Sequence, residues 1–428
     1  MTLYVIALTL IILGVMGMPL FAIILAVALT GFYFQGIDLS VIAIEIYRLA
    51  DTPLLMALPL FTLAGYIMAE SRTSQRLVNL TEAFLGWVPG GLGIVSLFTC
   101  AIFTAFTGAS GVTIVALGAL LYPALKNSSY GKSFSLGLVT TSGSLGLLLP
   151  PSVPLVLYGI IAQQLNLGVE IKVSDLFLAG LLPGLLMIVL LALWSLWSIR
   201  GRPVPRASFS GKKALASLRE AFWEIPLPFF VLSGVYGGFL AISEAAAVTA
   251  IYVIVVEVFI YKEVKISQLA TIIQKSMVVC GGILLIIGVS LASTNYLIDA
   301  EIPMRLFTLI QAHVHNRYVF LILLNVLLLI LGAILDIFSA LVIMVPLILP
   351  VAVGYGIDPV HLGIIFLANM QIGYLTPPVG MNLFISSYRF QLPVAEIYRA
   401  TIPFMLVLIL ALVAITYWPD LSLVFLNR

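Results

Sequence analysis

Two related segments lie 227 residues apart in this sequence, and each interrupts an apolar stretch with glycine and paired prolines. Without a gap, the offset pairs Pro123 with Pro350, Gly146 with Gly373, and Pro150-Pro151 with Pro377-Pro378. Freed backbone groups at membrane depth cost several kcal/mol each, so a lipid-facing helix has no use for such interruptions. A duplicated apolar segment broken by Gly and Pro instead indicates the binding site of a secondary transporter.

The composition requires a membrane protein. Hydrophobic residues make up 62% of the 428 residues and charged residues only 9%, whereas soluble domains carry about 25% charged residues. The N-terminus lacks a basic flank and a small-residue cleavage site, so we expect a retained span rather than a signal peptide. The net charge of +2 does not indicate nucleic-acid binding, because the basic residues lie between spans. The sequence also lacks a P-loop motif for ATP.

Apolar runs of about 20 residues predict the order of the elements. In the first half we expect spans at 2–16, 18–34 and 53–70, an amphipathic stretch at 72–85, a re-entrant hairpin at 90–127, a broken helix at 133–164 and a span at 175–199. In the second half we expect spans at 223–241, 244–261 and 276–296, an amphipathic stretch near 300–315, a hairpin at 317–352, a broken helix at 360–388 and a span at 401–418.

These elements predict an all-α polytopic membrane protein built as an inverted structural repeat. The first repeat covers 1–200, a cytoplasmic basic linker covers 201–222, and the second repeat covers 223–428. Each half crosses the membrane five times, and an odd number inverts the second half. Charge gives the same result, since the loop 126–132 holds two lysines while its counterpart 353–361 holds none. Positive charge marks the cytoplasm, so the hairpins enter from opposite faces and both termini are periplasmic.

Interrupted backbone and small polar side chains gather at the two hairpin tips and the two helix breaks. Carbonyl ends with neutral oxygens suit Na⁺, and helix N-termini suit an anion. We predict one Na⁺ site at Gly108, Ser110, Ser142 and Ser144. We predict the pseudo-equivalent Na⁺ site at Asp336, Ser339, Gly373, Thr376 and Gly380. We expect the substrate carboxylate between the tips, near Thr107, Ser152, Asn369 and Asn382.

Other roles stay open for several of these residues. Ser, Thr and Gly also occur where membrane helices pack closely. Asp336 is a Na⁺ ligand, a proton carrier or a helix cap, and Glu244 is expected to cap the helix that it begins. Gly108-Ala109-Ser110-Gly111 fits the G-x-S-G motif of rhomboid-like intramembrane proteases, but that chemistry needs a base. We expect no histidine in mid-span, and we therefore predict no catalytic residues and no enzyme.

Several segments in both halves carry a family resemblance. They are Phe106-Thr107-Gly108-Ala109-Ser110-Gly111, Leu149-Pro150-Pro151-Ser152, Asp175-Leu176-Phe177-Leu178-Ala179-Gly180, Asp358-Pro359-Val360-His361-Leu362-Gly363 and Leu375-Thr376-Pro377-Pro378-Val379-Gly380-Met381-Asn382-Leu383-Phe384. Together they resemble the large membrane subunit of TRAP transporters, the DctM-like permease family. The resemblance covers essentially the whole chain.

The resemblance implies a three-part system in the bacterial inner membrane. A periplasmic binding protein would deliver an organic acid, such as a C4-dicarboxylate or a sialic acid, for Na⁺-coupled uptake. A small four-helix membrane subunit would pair with this chain, and we expect it on a separate chain because the sequence starts at the first large-subunit span. The hairpins and broken helices would move against a scaffold in an elevator mechanism. The alternative is a receptor-independent sodium–dicarboxylate symporter of the same architecture.

Overall fold

The computed structural model is helical throughout the residues that it describes, which are 9–426 except 11, 14, 15, 17, 51, 89, 129, 166, 169, 170 and 201–209. Within this part of the chain, seven helices are long and apolar enough to cross a membrane, or eight if the bent pair Lys132–Leu148 and Val153–Gln164 counts as one span. The predicted span at 2–16 lies mostly outside the described residues.

The first half follows the predicted order with one addition. Its helices are Leu20–Gln35, Ser40–Ala50, Ala57–Glu70, Thr73–Leu85, Gly91–Thr107, Ser110–Asn127, Lys132–Ser142, Val153–Gln164 and Val173–Ser198, with 3₁₀ turns at Pro53–Met56 and Leu145–Leu148. The helix Ser40–Ala50 was not predicted. It is short and mixes charged with apolar residues, so no apolar run marks it.

The second half differs from prediction mainly at its start. Its helices are Gly211–Glu220, Pro226–Tyr236, Ile242–Ile254 with the π-helical turn Val255–Ile260, Ile266–Asp299, Ile302–His313, Arg317–Ile334, Ile337–Gly354, Pro359–Gly373, Met381–Phe390, Val394–Tyr417 and Asp420–Leu423. Ile266–Asp299 begins ten residues before the span predicted at 276–296, because its polar first turns continue the helix without adding apolar length. Helix Gly211–Glu220 lies within the predicted linker.

The hairpin elements recur at the offset read from the sequence. Gly91–Thr107 and Ser110–Asn127 (hairpin 1) turn at Gly108-Ala109 (tip 1). Arg317–Ile334 and Ile337–Gly354 (hairpin 2) turn at Leu335-Asp336 (tip 2). The helix bounds of hairpin 2 match those of hairpin 1 at an offset of 227 within one residue. Residues 143–152 form break 1 and residues 374–380 form break 2, and the Pro-Pro peptide bonds in both are cis.

The helices that precede the breaks form the centre of the molecule. Every residue of Pro359–Gly373 is buried. Two glycines at the breaks allow hairpin helices to approach closely. A Cβ on Gly146 would lie 2.2 Å from the carbonyl oxygen of Ala101, and one on Gly373 would lie 2.6 Å from the Gly332 backbone. Both glycines are therefore required by backbone contact, in equivalent places of the two halves.

Four helices pack on one another beside hairpin 1, and we call them the outer helices: Ala57–Glu70, Thr73–Leu85, Ile242–Ile254 and Ile266–Asp299. A buried ion cluster fastens Thr73–Leu85 to the others. The guanidinium of Arg76, which is 3% exposed, contacts Glu224, lies 3.0 Å from Glu257 and 2.6 Å from Glu263. It also stacks 3.9 Å above the ring of Tyr261. The predicted amphipathic stretch at 72–85 is thus held by charge as well as by its apolar face.

Candidate functional site

Break 1 contacts the last turn of Pro359–Gly373, just before break 2, at equivalent residues of the two halves. The hydroxyl of Ser144 donates to the carbonyl oxygen of Gln371 at 3.4 Å, and these residues are 227 positions apart. Ser144 also lies 3.4 Å from the carbonyl oxygen of Thr141 in its own segment. Break 1 therefore lies against the last turn of the helix that precedes break 2.

Tip 1 packs against break 1 through a chain of hydroxyl groups. The hydroxyl of Thr104 lies 2.9 Å from the carbonyl oxygen of Gly143 and 2.8 Å from the hydroxyl of Thr113. Gly108 has φ +64°, and a Cβ there would lie 2.8 Å from Val153, the first residue of the helix after the break. The carbonyl of Gly143 has left its helix, so hydroxyls at the tip take over its hydrogen bonding.

The predicted first Na⁺ set is divided by these contacts. Gly108 and Ser110 lie at tip 1, and a Cβ on Gly143 would be 3.4 Å from the Ser110 carbonyl oxygen. The hydroxyl of Ser142 donates within its own helix, to the carbonyl oxygen of Val139 at 3.3 Å. Ser144 instead reaches Gln371, in the helix before break 2. Thr104 was not predicted, because it lies a turn before the tip.

Asp336 caps the second helix of hairpin 2, which was one of its open roles. Its Oδ1 accepts the backbone N–H groups of Phe338 and Ser339, each at 3.0 Å, and its Oδ2 accepts the Ser339 hydroxyl at 2.5 Å. A carboxylate at the N-cap satisfies helix donors and stabilises the helix dipole. Glu244 also acts as predicted, since its carboxylate accepts the N–H of Ala241 at 2.8 Å.

Tip 2 and break 2 are joined by backbone contacts. The hydroxyl of Tyr374 accepts the N–H of Ile337 at 2.8 Å. The carbonyl oxygen of Ala333 accepts the N–H groups of Val379 at 3.2 Å and Gly380 at 3.0 Å. Together with the packing of Gly373 on Gly332, these contacts place Asp336, Ser339, Gly373 and Gly380 in one neighbourhood.

Thr376 lies in the same break but directs its side chain elsewhere. Its hydroxyl donates back to the carbonyl oxygen of Ile372 at 3.2 Å and lies 3.6 Å from the sulfur of Met405. Tyr374 was not predicted as part of this neighbourhood. From the sequence alone, a tyrosine beside an interrupted segment is expected to pack against other side chains. Only the fold shows that its hydroxyl contacts tip 2.

The four predicted substrate residues share an unusual property. Each is at most 2% exposed, and each has a side-chain oxygen without a hydrogen-bond partner: Thr107, Ser152, Asn369 and Asn382. Buried polar atoms without partners are rare in folded proteins. Thr141 and Gln371 have the same property, although neither was predicted as a site residue. The sequence signal that could have found them was their position, since Thr141 is adjacent to Ser142 and Gln371 lies two residues before Gly373.

The amides and the hydroxyls offer different chemistry. The amide nitrogen of Asn382 donates to the carbonyl oxygen of Thr140 at 3.3 Å, and that of Asn369 donates to Asn325 at 2.6 Å. The unpartnered atoms of both asparagines are therefore acceptors, which suit a cation. The hydroxyls of Thr107 and Ser152 are also able to donate, and so suit a carboxylate. Asn369 belongs to a polar cluster with Asn325 and Thr416, and no hydrogen bond links that cluster to Asn382.

Comparisons with known proteins agree on one family. Residues 4–421 match the family model described as "Tripartite ATP-independent periplasmic transporter, DctM component". The chain is 32% identical over 403 residues to the C4-dicarboxylate TRAP transporter large permease protein DctM of Pseudomonas aeruginosa, covering 94% of this chain and 92% of that protein. It is 32% identical over 373 residues to the isethionate TRAP transporter permease protein DctMQ of Oleidesulfovibrio alaskensis, covering 87% and 58%.

A solved structure shares the fold. The YdaH transporter of Alcanivorax borkumensis superposes with a TM-score of 0.64 at 13% sequence identity, covering 89% of this chain and 88% of that one. At this identity the likeness concerns the fold alone.

Proposed function

This chain belongs to the DctM component family of tripartite ATP-independent periplasmic transporters, and on that premise we propose that it couples Na⁺ entry to uptake of a small organic acid. A periplasmic binding protein delivers the acid, and a small four-helix membrane subunit completes the complex in the bacterial inner membrane. The hairpins and breaks form the moving part, and the outer helices belong to the scaffold. Hairpin 1 opens to the cytoplasm and hairpin 2 to the periplasm.

The contact of break 1 with the helix before break 2 is the observation that carries this proposal. Equivalent residues, Ser144 and Gln371, meet beside the two interruptions, and buried oxygens without partners lie in the same segments. Backbone and hydroxyl oxygens are hard ligands of the kind that bind Na⁺, and unwound helices near mid-membrane bind ions and substrates in secondary transporters. Among the described residues, six of the ten that have a buried polar side-chain atom without a partner lie in the tips and breaks or within five residues of them.

The residue roles keep the sets predicted from the sequence, and backbone carbonyl oxygens contribute where a side chain is hydrogen-bonded elsewhere. We assign one Na⁺ to tip 1 and break 1, with Gly108, Ser110, Ser142 and Ser144. We assign the other to tip 2 and break 2, with Asp336, Ser339, Gly373, Thr376 and Gly380. The hydroxyls of Thr107 and Ser152 receive the substrate carboxylate, because each lies where a hairpin tip meets the helix after break 1. The acceptor oxygens of Asn369 and Asn382 face a cation or a substrate hydroxyl.

The energetics support electrogenic coupling. The membrane potential contributes about 2.3 kcal/mol per net charge per 100 mV. Two Na⁺ with one monovalent anion move one net charge, which supports roughly 50-fold accumulation at 100 mV, since ~1.4 kcal/mol is tenfold. The Na⁺ gradient adds to this. A dicarboxylate needs a third cation for uptake to remain electrogenic.

The relatives' names cover more than one class of solute, including ectoine, and two of them support an acid. One is a C4-dicarboxylate permease and another is an isethionate permease, and both solutes are small acids. We therefore propose a small organic acid for this chain too. Sialic acid and other carboxylates remain predictions of the same class, and the binding protein selects among them.

Reconstitution in proteoliposomes tests the proposal. Uptake should require both Na⁺ and the cognate binding protein, and Ser110→Ala and Thr376→Ala should each shift the Na⁺ concentration for half-maximal uptake. Uptake that persists without Na⁺ rejects the coupling. Uptake that needs Na⁺ but no binding protein identifies the receptor-independent symporter instead.

A further inference from the structure

A cavity of about 690 Å³ separates hairpin 1 from two outer helices. One wall is formed by Ser110–Asn127 and Met381–Phe390, and the other by Ala57–Glu70 and Ile266–Asp299. The cavity starts at Gly111, one residue after the tip-1 site, and extends to Tyr388 at the far end of its helix. On hairpin 1 the lining runs from Gly111 to Ala116, and on the helix after break 2 it reaches Tyr388, next to Arg389. The positive charge of Arg389 favours the cytoplasmic side for that end.

Equivalent backbone atoms of the two hairpins have different hydrogen-bond partners. In hairpin 2, the carbonyl oxygen of Val342 accepts the hydroxyl of Ser290, an outer-helix residue, at 3.0 Å. The equivalent carbonyl in hairpin 1 belongs to Val115 and accepts Arg389 Nε at 3.1 Å instead. Arg389 lies on the helix after break 2, so hairpin 1 is bonded to its neighbour in the moving part. At this level Ile266–Asp299 is hydrogen-bonded to hairpin 2, whereas the second helix of hairpin 1 faces the cavity.

One ion pair lies in the wall of this cavity. The ammonium of Lys275 lies 3.0 Å from the carboxylate of Glu70, and their side chains are 55% and 48% exposed. Ionisable side chains within membrane helices generally line a pathway for ions or substrates. Lys275 belongs to the span Ile266–Asp299, and it is the cation of the cavity lining.

We propose that Lys275 is a substrate-binding residue on the cytoplasmic exit path, which takes the carboxylate of the departing acid in exchange for Glu70. The proposal rests on the proposed function and adds to it a site outside the tips and breaks. Glu70 neutralises Lys275 while the path is empty. The acid displaces Glu70 as it leaves tip 1, and the return of Glu70 to the ammonium releases the acid to the cytoplasm.

Charge-selective labelling measures this role without knowledge of the substrate. Phe384 lines the cavity and is 48% exposed, and both native cysteines are buried. Phe384→Cys therefore gives a single reactive thiol in the path. Its labelling rates with the anionic sulfonatoethyl and the cationic trimethylammonioethyl methanethiosulfonates give an anion-to-cation ratio. Lys265→Gln is the matched control, because it removes the same charge ten residues earlier on the chain, outside the cavity lining.

We expect Lys275→Gln to lower that ratio on the order of tenfold, Glu70→Gln to raise it, and Lys265→Gln to leave it within about twofold. We also expect Lys275→Gln to slow receptor-dependent uptake without shifting its Na⁺ dependence. An unchanged ratio in Lys275→Gln, or an equal fall in Lys265→Gln, overturns the proposal. The ratio needs neither Na⁺ nor the binding protein. Normal transport with the same labelling ratio in the presence and absence of Lys275 therefore contradicts this inference alone. Absence of Na⁺-dependent uptake contradicts the proposed function instead.

Discussion

Replacement of Arg76 by methionine should destabilise the protein by about 3–5 kcal/mol, the cost of removing one partner from a buried ion pair. The substitution keeps an unbranched apolar stem and removes the guanidinium. The carboxylates of Glu224 and Glu257 are 6% and 2% exposed and lose their cation in a place that water does not reach. Glu263 is 20% exposed and rehydrates. The loss of stability is therefore set by the two buried carboxylates, Glu224 and Glu257, and not by Glu263.

Equilibrium unfolding in mixed micelles measures this cost. Arg72→Met is the matched control, since Arg72 lies four residues earlier with an exposed side chain, and only its backbone N–H contacts Glu263. We expect the control to change the free energy of unfolding by less than about 0.5 kcal/mol. A loss below about 1 kcal/mol in Arg76→Met would show that the cluster is solvated, and would refute the account of how Thr73–Leu85 is held.

The same variant should show a distinctive pH dependence. Burial raises the pKa of Glu224 above its usual value of 4.5, and attraction to Arg76 partly offsets that rise. A raised folded-state pKa adds stability at acidic pH that is lost as the pH rises through it. Without Arg76 the pKa of Glu224 rises further, so Arg76→Met should cost less at pH 5 than at pH 8. In the Glu224→Gln background that difference should shrink. An equal cost at both pH values in the Arg76→Met variant would contradict this cause.

Two further predictions concern the breaks. Gly146→Ala should abolish correct folding or cost several kcal/mol, because its Cβ would meet the Ala101 carbonyl oxygen at 2.2 Å. Gly281→Ala is the control, because no atom lies within 4 Å of the added Cβ. It should be neutral or mildly stabilising in the same unfolding assay. Equal free energies of unfolding in the two variants would contradict the packing described. Asn382→Asp should tighten Na⁺ binding and weaken anion uptake, since the side-chain oxygen without a partner becomes charged. Isothermal titration with Na⁺ and proteoliposome uptake measure both effects, and weaker Na⁺ binding would show that this oxygen does not face a cation.

The interrupted elements were predictable because Gly and Pro mark where helices end. The hairpin helices turn at the tips read from the sequence, and the offset of 227 aligns their bounds. The contact of Ser144 with Gln371 was not predictable. An alignment shows that two residues are equivalent, but only the fold shows that equivalent residues touch.

The ion cluster at Arg76 shows a different limit. Its three glutamates lie 148, 181 and 187 residues away in sequence. No short-range spacing therefore indicates that they pair with Arg76. One signal was present, since Glu257 is a carboxylate within the predicted span at 244–261, where an ionisable residue needs a partner. The position of Glu257 in a predicted span indicates a buried cation nearby, but it does not identify that cation as Arg76.

The opposite orientation of the two hairpins is the claim on which this account of transport depends. Asn127→Cys and His315→Cys place single exposed thiols at the bases of hairpin 1 and hairpin 2, with both native cysteines buried. Labelling by a membrane-impermeant maleimide should reach Cys at 315 in right-side-out cells and Cys at 127 only in inverted vesicles. Reaction of both thiols from the same side would mean that the halves are not inverted, and would remove the basis for the paired Na⁺ sites.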